Sequence, residues 1–260
     1  MGEGAQTFRV SDTAYDRYMG RYSDPLAQEL LRAAGVEPGQ RALDVGCGPG
    51  ALTAALVSAL GADSVAAVDP SEPFVEACRR RNPGVDVRVG AAEGLPFPDG
   101  GFDLVLAQLV VQFMSDAPSG VRELRRVARP GGVVAACTWD YGEGMTMLRT
   151  FWGAAQALDP AAPDEAATLR YCRRGELGAL WRETGLRDVE DGALTVEAGY
   201  AGFDDFWEPF TLGVGPGGAY CASLDAERRA ALREECCSRL GEPAGPFTLG
   251  ARAWYAVGRT

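Results

Sequence analysis

Asp44, Gly46, Gly48 and Gly50 fall within seven residues, at the point where an apolar run over 42–45 gives way to Ala51-Leu52-Thr53-Ala54-Ala55-Leu56. That order predicts a strand, a tight turn and the start of a helix. Glycine lets a backbone turn sharply and approach a ligand with no Cβ in between. The helix that follows presents unpaired N–H groups and the positive end of its dipole to whatever sits in the turn. The stretch has the makings of a cofactor cradle.

Two cofactor classes meet that cradle. Gly46-x-Gly48-x-x-Ala51 satisfies the dinucleotide fingerprint, and Asp69 lies about 20 residues on, where an acid would take a ribose hydroxyl. Against a dinucleotide stands Asp44, whose carboxylate would face and repel a pyrophosphate. S-adenosylmethionine carries an ammonium, a sulfonium, a carboxylate and a ribose but no phosphate, and an acid at that strand end suits it.

The elements that position these residues follow from alternation. Strands are expected at 41–45, 64–69, 85–89, Phe102–Ala107 and 132–138, with helices at 51–60, 72–81 and 119–128 between them. Mostly apolar strands alternating with helices imply a parallel sheet covered on both faces, with ligands at the carboxyl ends of its strands. Upstream, 11–34 reads as two helical pieces split near Ser23-Asp24-Pro25, a flap whose Tyr15, Tyr18 and Tyr22 share one face. Downstream, helices are expected near 145–157 and 173–184, a strand at 186–198, and a closing strand at 247–257. Between those strands, 203–240 reads as an insertion with an aromatic knot of Phe203, Phe206, Trp207 and Phe210, serving as lid or packing. The expected fold is α/β: one Rossmann-like domain over 1–260, with its cofactor-binding core at 36–140, the helical flap at 11–34 and the lid at 203–240.

Composition narrows the partners. The chain has 260 residues, 47% of them apolar, enough for one sizeable core. A formal net charge of -11 argues against nucleic acid, which needs a basic face. No apolar run approaches the ~18 residues of a membrane span, and residues 1–10 lack a signal pattern, so a cytoplasmic protein is expected. The seven cysteines are scattered without C-x-x-C, which speaks against a disulfide framework or a zinc site. The chain has no histidine and therefore no histidine base.

Four ordered motifs then carry a resemblance. Ala-Leu-Asp-Val-Gly-Cys-Gly-Pro-Gly from 42, Ala-Val-Asp-Pro-Ser from 67, Gly-Ala-Ala-Glu-Gly-Leu-Pro-Phe-Pro-Asp-Gly-Gly-Phe-Asp from 90 and Glu-Leu-Arg-Arg-Val-Ala-Arg-Pro-Gly-Gly from 123 stand at family spacing. They resemble the class I S-adenosylmethionine-dependent methyltransferases, most of all the ubiquinone/menaquinone-biosynthesis-like type 11 branch. The resemblance covers about 36–140. It implies that Gly46, Cys47 and Gly48 approach the methionine portion of the cofactor and that Asp44 supports its amino group. It implies further that Asp69 accepts the ribose hydroxyls, Pro70 and Ser71 flank the adenine, and Ala92 offers it a backbone N–H. Glu93 would stand beside the adenine or support its loop, Gln108 would line the methionine end, and Tyr18 and Arg21 would reach in from the flap. The product would be S-adenosylhomocysteine.

Two departures from the family pattern stand out. Many relatives carry Asp where this chain has Ala91, and many have a histidine near Gln112 or where Tyr141 stands. A sulfonium is already an activated electrophile, so positioning can carry most of the reaction. If a base is used, Tyr18 and Tyr141 lead the candidates, followed by Asp140, Glu143 and Glu208, each with a surface or packing role as the plainer reading. Trp139, Tyr141, Trp152, Phe206, Trp207 and Tyr220 are candidates to wall a pocket for a small, partly apolar or aromatic acceptor. Two other readings stay open: a protein that binds the cofactor without transferring methyl, and a nicotinamide-dependent oxidoreductase.

Overall fold

A computed structural model describes residues 16–260, so Tyr15 and the start of the expected flap lie outside the described residues. A π-helical turn over Asp16–Gly20 runs directly into α1 (Arg21–Ala34). The break therefore falls at Gly20, not at Ser23-Asp24-Pro25. Pro25 sits inside α1. Its fixed φ suits a helix, and its missing N–H forfeits only the bond to the carbonyl four residues back.

The alternation follows as β1 (Ala42–Val45), α2 (Ala51–Leu60), β2 (Val65–Asp69), α3 (Glu72–Arg81), β3 (Asp86–Val89), β4 (Phe102–Gln108), α4 (Ala117–Val127) and β5 (Ala128–Trp139). Then come α5 (Thr146–Leu158), the single turn α6 (Glu165–Thr168), α7 (Glu176–Glu183) and β6 (Arg187–Tyr200). Three helices, α8 (Phe203–Thr211), α9 (Gly215–Ser223) and α10 (Ala226–Arg239), precede β7 (Phe247–Arg259). The strands form one seven-stranded sheet in the order β3-β2-β1-β4-β5-β7-β6. Pairings from β3 to β5 are parallel, and β7 is antiparallel to both β5 and β6. Every residue of β1 and β2 is buried, as expected of strands covered on both faces.

From β1 the chain winds outward through β2 to β3 and then returns to β4 on the other side of β1. That reversal is the topological switch point, where ligands collect at the carboxyl ends of strands. Register places Asp44 opposite Leu106 of β4 and Ala67 of β2. The acid is thus locked beside the switch.

Residues 203–240 are helical as expected, but their aromatic side is packed inward. Phe206 and Phe210 are fully buried and share one core cluster with Tyr18, Tyr22, Phe151 and Trp152. Phe210 stacks on Phe151 with ring centroids 4.2 Å apart and meets Tyr18 edge-on at 5.3 Å. The expected lid is, on this face, part of the core, because aromatic surface of that size is expensive to leave in water.

Candidate cofactor and acceptor site

The turn after β1 is set by hydrogen bonds to β2. Gly46 and Cys47 both donate N–H to the Val68 carbonyl, at 2.7 and 3.0 Å. Gly46 and Gly48 take positive φ values of 72° and 52°. A Cβ at Gly46 would collide with Val110, whereas one at Gly48 would meet no atom within 4 Å. Gly46 is therefore demanded by packing, and Gly48 faces open space.

That space is a narrow cleft of about 40 Å³ lined by Ser23, Asp44, Gly46, Cys47, Gly48, Pro49, Ala51, Leu52, Gln108 and Leu109. Asp44 at its floor is 1% exposed. One of its oxygens, Oδ2, accepts a 2.6 Å bond from the Thr53 hydroxyl on α2, while Oδ1 has no partner among the described residues. Burial pushes the Asp44 carboxyl up to about 8, only partly opposed by the Thr53 bond. Across the cleft, Gln108 donates from Nε2 to the Ser23 carbonyl at 3.0 Å, and its Oε1 is likewise buried without a partner. Among the described residues the cleft thus contains two orphaned acceptors and no basic side chain, a donor set that an ammonium with its three N–H groups would suit.

Asp69 ends β2 beside the turn. It accepts Gly48 N–H at 3.0 Å on Oδ2 and Ser71 N–H at 2.8 Å on Oδ1. Burial raises its pKa, opposed by those two bonds. Each oxygen retains a lone pair, so two hydroxyls on neighbouring carbons can still be accepted. The acids and the turn glycines therefore suit the methionine and ribose portions of S-adenosylmethionine. A cleft of about 40 Å³ is far below the few hundred Å³ of ordinary ligand pockets, so it is narrower than a bound nucleoside needs. A larger cavity, about 390 Å³, lies at the opposite end of the strands among Arg41, Asp63, Asp86, Arg88 and Phe102, away from every residue of the turn.

Other expected site residues are placed differently. Arg21 does not line the cleft: its guanidinium is held by Asp205 at 2.8 Å and the Gly199 carbonyl at 3.1 Å, above the Tyr200 ring. Glu93 accepts Ser115 N–H and hydroxyl, both at 2.8 Å, and so secures the loop before α4. Pro70 is exposed and Ala92 buried. Among the proposed bases, Asp140 is tied to Arg252 at 2.8 Å, Glu208 forms a surface pair with Arg17, and Glu143 is exposed.

Tyr18 and Tyr141 come together, but in the interior. Burial holds both phenols well above their usual range, with Glu165 raising each further. At neutral pH they stay protonated. Of the expected acceptor-wall residues, Trp139, Trp152, Phe206 and Trp207 are buried with Tyr141 in the same core, and Tyr220 is half-buried. The Trp139 indole N–H has no partner among the described residues.

Sequence reasoning missed Thr53 and Ser23. Thr53 has a visible signal as a polar residue inside an otherwise apolar helical face. Ser23 contributes a backbone carbonyl, so it does not announce itself.

Comparison with known proteins agrees with this geometry. The family model for a methyltransferase domain matches residues 43–136, from β1 into β5. The chain is 40% identical over 183 residues to a demethylmenaquinone methyltransferase from Beutenbergia cavernae, covering 64% of this chain and 75% of that one. It is 33% identical over 132 residues to a malonyl-[acyl-carrier protein] O-methyltransferase from Serratia marcescens, covering 48% and 51% respectively. Against four of its curated relatives the chain spans 34% to 61% of their length. Among solved structures, a Haemonchus contortus phosphoethanolamine N-methyltransferase bound to S-adenosylmethionine superposes with a TM-score of 0.59. At 18% identity, with 95% of this chain and 57% of that one covered, it shows the shared fold. The chain belongs to the S-adenosylmethionine-dependent methyltransferase family.

Proposed function

We propose that the protein transfers a methyl group from S-adenosylmethionine to a small, partly apolar or aromatic acceptor, without a histidine base. The observation that carries this reading is the pair of orphaned acceptors, Asp44 Oδ1 and Gln108 Oε1, in a glycine-lined cleft at the sheet's switch point. Asp44 and Gln108 would hold the cofactor's ammonium, and Asp69 its ribose. When bound, the cofactor supplies a methyl group on a sulfonium, already activated for displacement. The chain's part is then to orient the acceptor and exclude water, which is where most of the rate of such a reaction can come from.

A second reading is favoured by one observation. The aromatic residues expected to wall an acceptor pocket are packed in the core, so a protein that binds the cofactor without turnover fits as well. Calorimetric titration with S-adenosylmethionine, S-adenosylhomocysteine and oxidised nicotinamide dinucleotide tests the cofactor. Binding of the first two alone supports the reading, and binding of the dinucleotide alone overturns it. Consumption of the bound cofactor in the presence of an acceptor separates enzyme from binder.

A further inference from the structure

The larger cavity, at the amino ends of the strands, has no part in the site described above. Its origin lies in the crossovers. The links β1–β2, β2–β3 and β4–β5 carry the helices α2, α3 and α4, but the link from β3 to β4, residues 90–101, is loop throughout. On that side of the sheet, loop takes the place of the helix that usually covers parallel strands. The cavity of about 390 Å³ opens there, with Phe97 and Pro98 of the loop on one side and strand residues on the other. Register shows which side chains reach it. Asp86 and Arg88 of β3 pair with Ala66 and Val68 of β2. Val87, between them, packs on the opposite face with Cys47, Ala67, Val75 and Cys78, so alternation turns Asp86 and Arg88 towards the cavity.

Val65, Ala66 and Phe102 give the cavity an apolar lining, and Phe97 meets Phe102 edge-on with ring centroids 5.3 Å apart. Two guanidiniums lie over these rings, Arg88 at 4.4 Å from the Phe97 centroid and Arg41 at 5.6 Å from that of Phe102. Arg88 is committed. It donates to the two Asp86 oxygens at 3.1 and 2.6 Å and to the Pro96 carbonyl at 2.6 Å. The Arg41 guanidinium makes no ion pair among the described residues, and neither does the carboxylate of Asp63 in the short turn Ala62–Ser64 before β2. Because Ala42 pairs with Val65, Arg41 and Asp63 enter the cavity from neighbouring strand starts. A guanidinium and a carboxylate thus share one rim beside an apolar lining. A ligand carboxylate suits the first, an ammonium the second, and an apolar side chain the lining. A ligand with only one of the two charges leaves the other rim group unmatched.

We propose that this cavity is a second ligand site, one that binds a free α-amino acid with an apolar side chain. Arg41 takes the carboxylate, Asp63 the ammonium, and Val65, Ala66 and Phe102 receive the side chain. At about 390 Å³ the cavity is of the size that ordinary small-molecule sites have. It shares no lining residue with the cofactor cleft, so the proposal stands apart from the methyltransferase reading.

The test uses the whole protein with S-adenosylhomocysteine in excess, so that the cofactor cleft is filled, and three probes of one shape. These are L-phenylalanine, 3-phenylpropionate, which lacks the amine, and phenethylamine, which lacks the carboxylate. Binding is followed by ligand-observed NMR titration at low ionic strength. L-phenylalanine should bind at least about threefold more tightly than either of the others, the scale of one partly exposed ion pair. Arg41→Gln should bring L-phenylalanine down to the level of phenethylamine, and Asp63→Asn should bring it down to that of 3-phenylpropionate. Neither should move the affinity for S-adenosylhomocysteine. Both side chains are exposed, so both variants should fold. Binding of none of the probes, equal binding of all three, or a preference that survives either substitution overturns the proposal. Failure of S-adenosylhomocysteine to bind overturns the methyltransferase reading instead, and the probes are then compared on the ligand-free protein with the same expectations.

Discussion

The Thr53 hydroxyl donates to Asp44 Oδ2 at 2.6 Å and leaves Oδ1 of the same buried carboxylate without a partner. One bond from α2 therefore fixes the orientation of the acid, and the proposed function gives its other oxygen to the ligand's ammonium. Asp44→Asn keeps shape and the Thr53 contact but removes the charge. It should weaken S-adenosylhomocysteine binding by about 100-fold, the loss expected when one partner of a desolvated charged pair is removed. Titration calorimetry of the two proteins measures it.

The same residue sets a pH dependence in the ligand-free protein. The folded state holds a proton on Asp44 up to about pH 8, whereas the unfolded chain gives it up near the ordinary carboxylate value of 3.8. Its contribution to stability is therefore largest below that value and falls away as pH rises towards 8. Chemical denaturation across this range should show Asp44→Asn gaining on the wild type as pH rises. A constant difference between them would contradict the assignment.

Gly46 and Gly48 should separate stability from affinity. Gly46→Ala puts a methyl into Val110 and should lower the melting temperature. Gly48→Ala meets no protein atom, so beyond the ~1–2 kcal/mol of holding alanine at positive φ its effect should fall on cofactor binding. Thermal melts with and without S-adenosylhomocysteine read both effects.

Asp69 has a structural duty, and the proposed function gives it a binding one. Asp69→Ala should weaken cofactor binding at least about tenfold while the chain stays folded, since its partners Gly48 and Ser71 lie at a solvent-reaching turn. Near-wild-type affinity would show that the ribose is held elsewhere.

Phe206 tests how far the α8–α10 segment belongs to the core. It is fully buried between Tyr200, Phe203 and Phe210. Phe206→Ala should cost about 3–5 kcal/mol in denaturant unfolding, as for an aromatic side chain lost from a packed interior. A loss under about 1 kcal/mol would restore the segment to a loosely docked cover.

Much of this fold could be read from the chain because β1, β2 and β4 are mostly apolar, with Asp44 and Asp69 at or near the carboxyl ends of the first two, and glycines mark the turn between β1 and α2. The helix α2 spans Ala51–Leu60, as its apolar periodicity predicts. Legibility failed where long-range pairing decides. Arg21 looks like a cofactor residue beside Tyr18 and Tyr22, but its partner Asp205 lies 184 residues away. The strand β5 begins at Ala128, before the Pro-Gly-Gly expected to precede it, because Ala128 pairs with Phe102 across an irregularity in the ladder.

The most direct measurement is the proton count on cofactor binding. S-adenosylhomocysteine should be titrated calorimetrically at neutral pH in two buffers of different ionisation enthalpy, with the wild type and with Asp44→Asn. A neutral Asp44 that ionises to meet the ligand's ammonium should release close to one proton in the wild type, and none should be released from that site in the variant. Binding with no proton release, at an affinity that Asp44→Asn does not change, would show that Asp44 does not hold the ammonium, and the account of the site would fall with it.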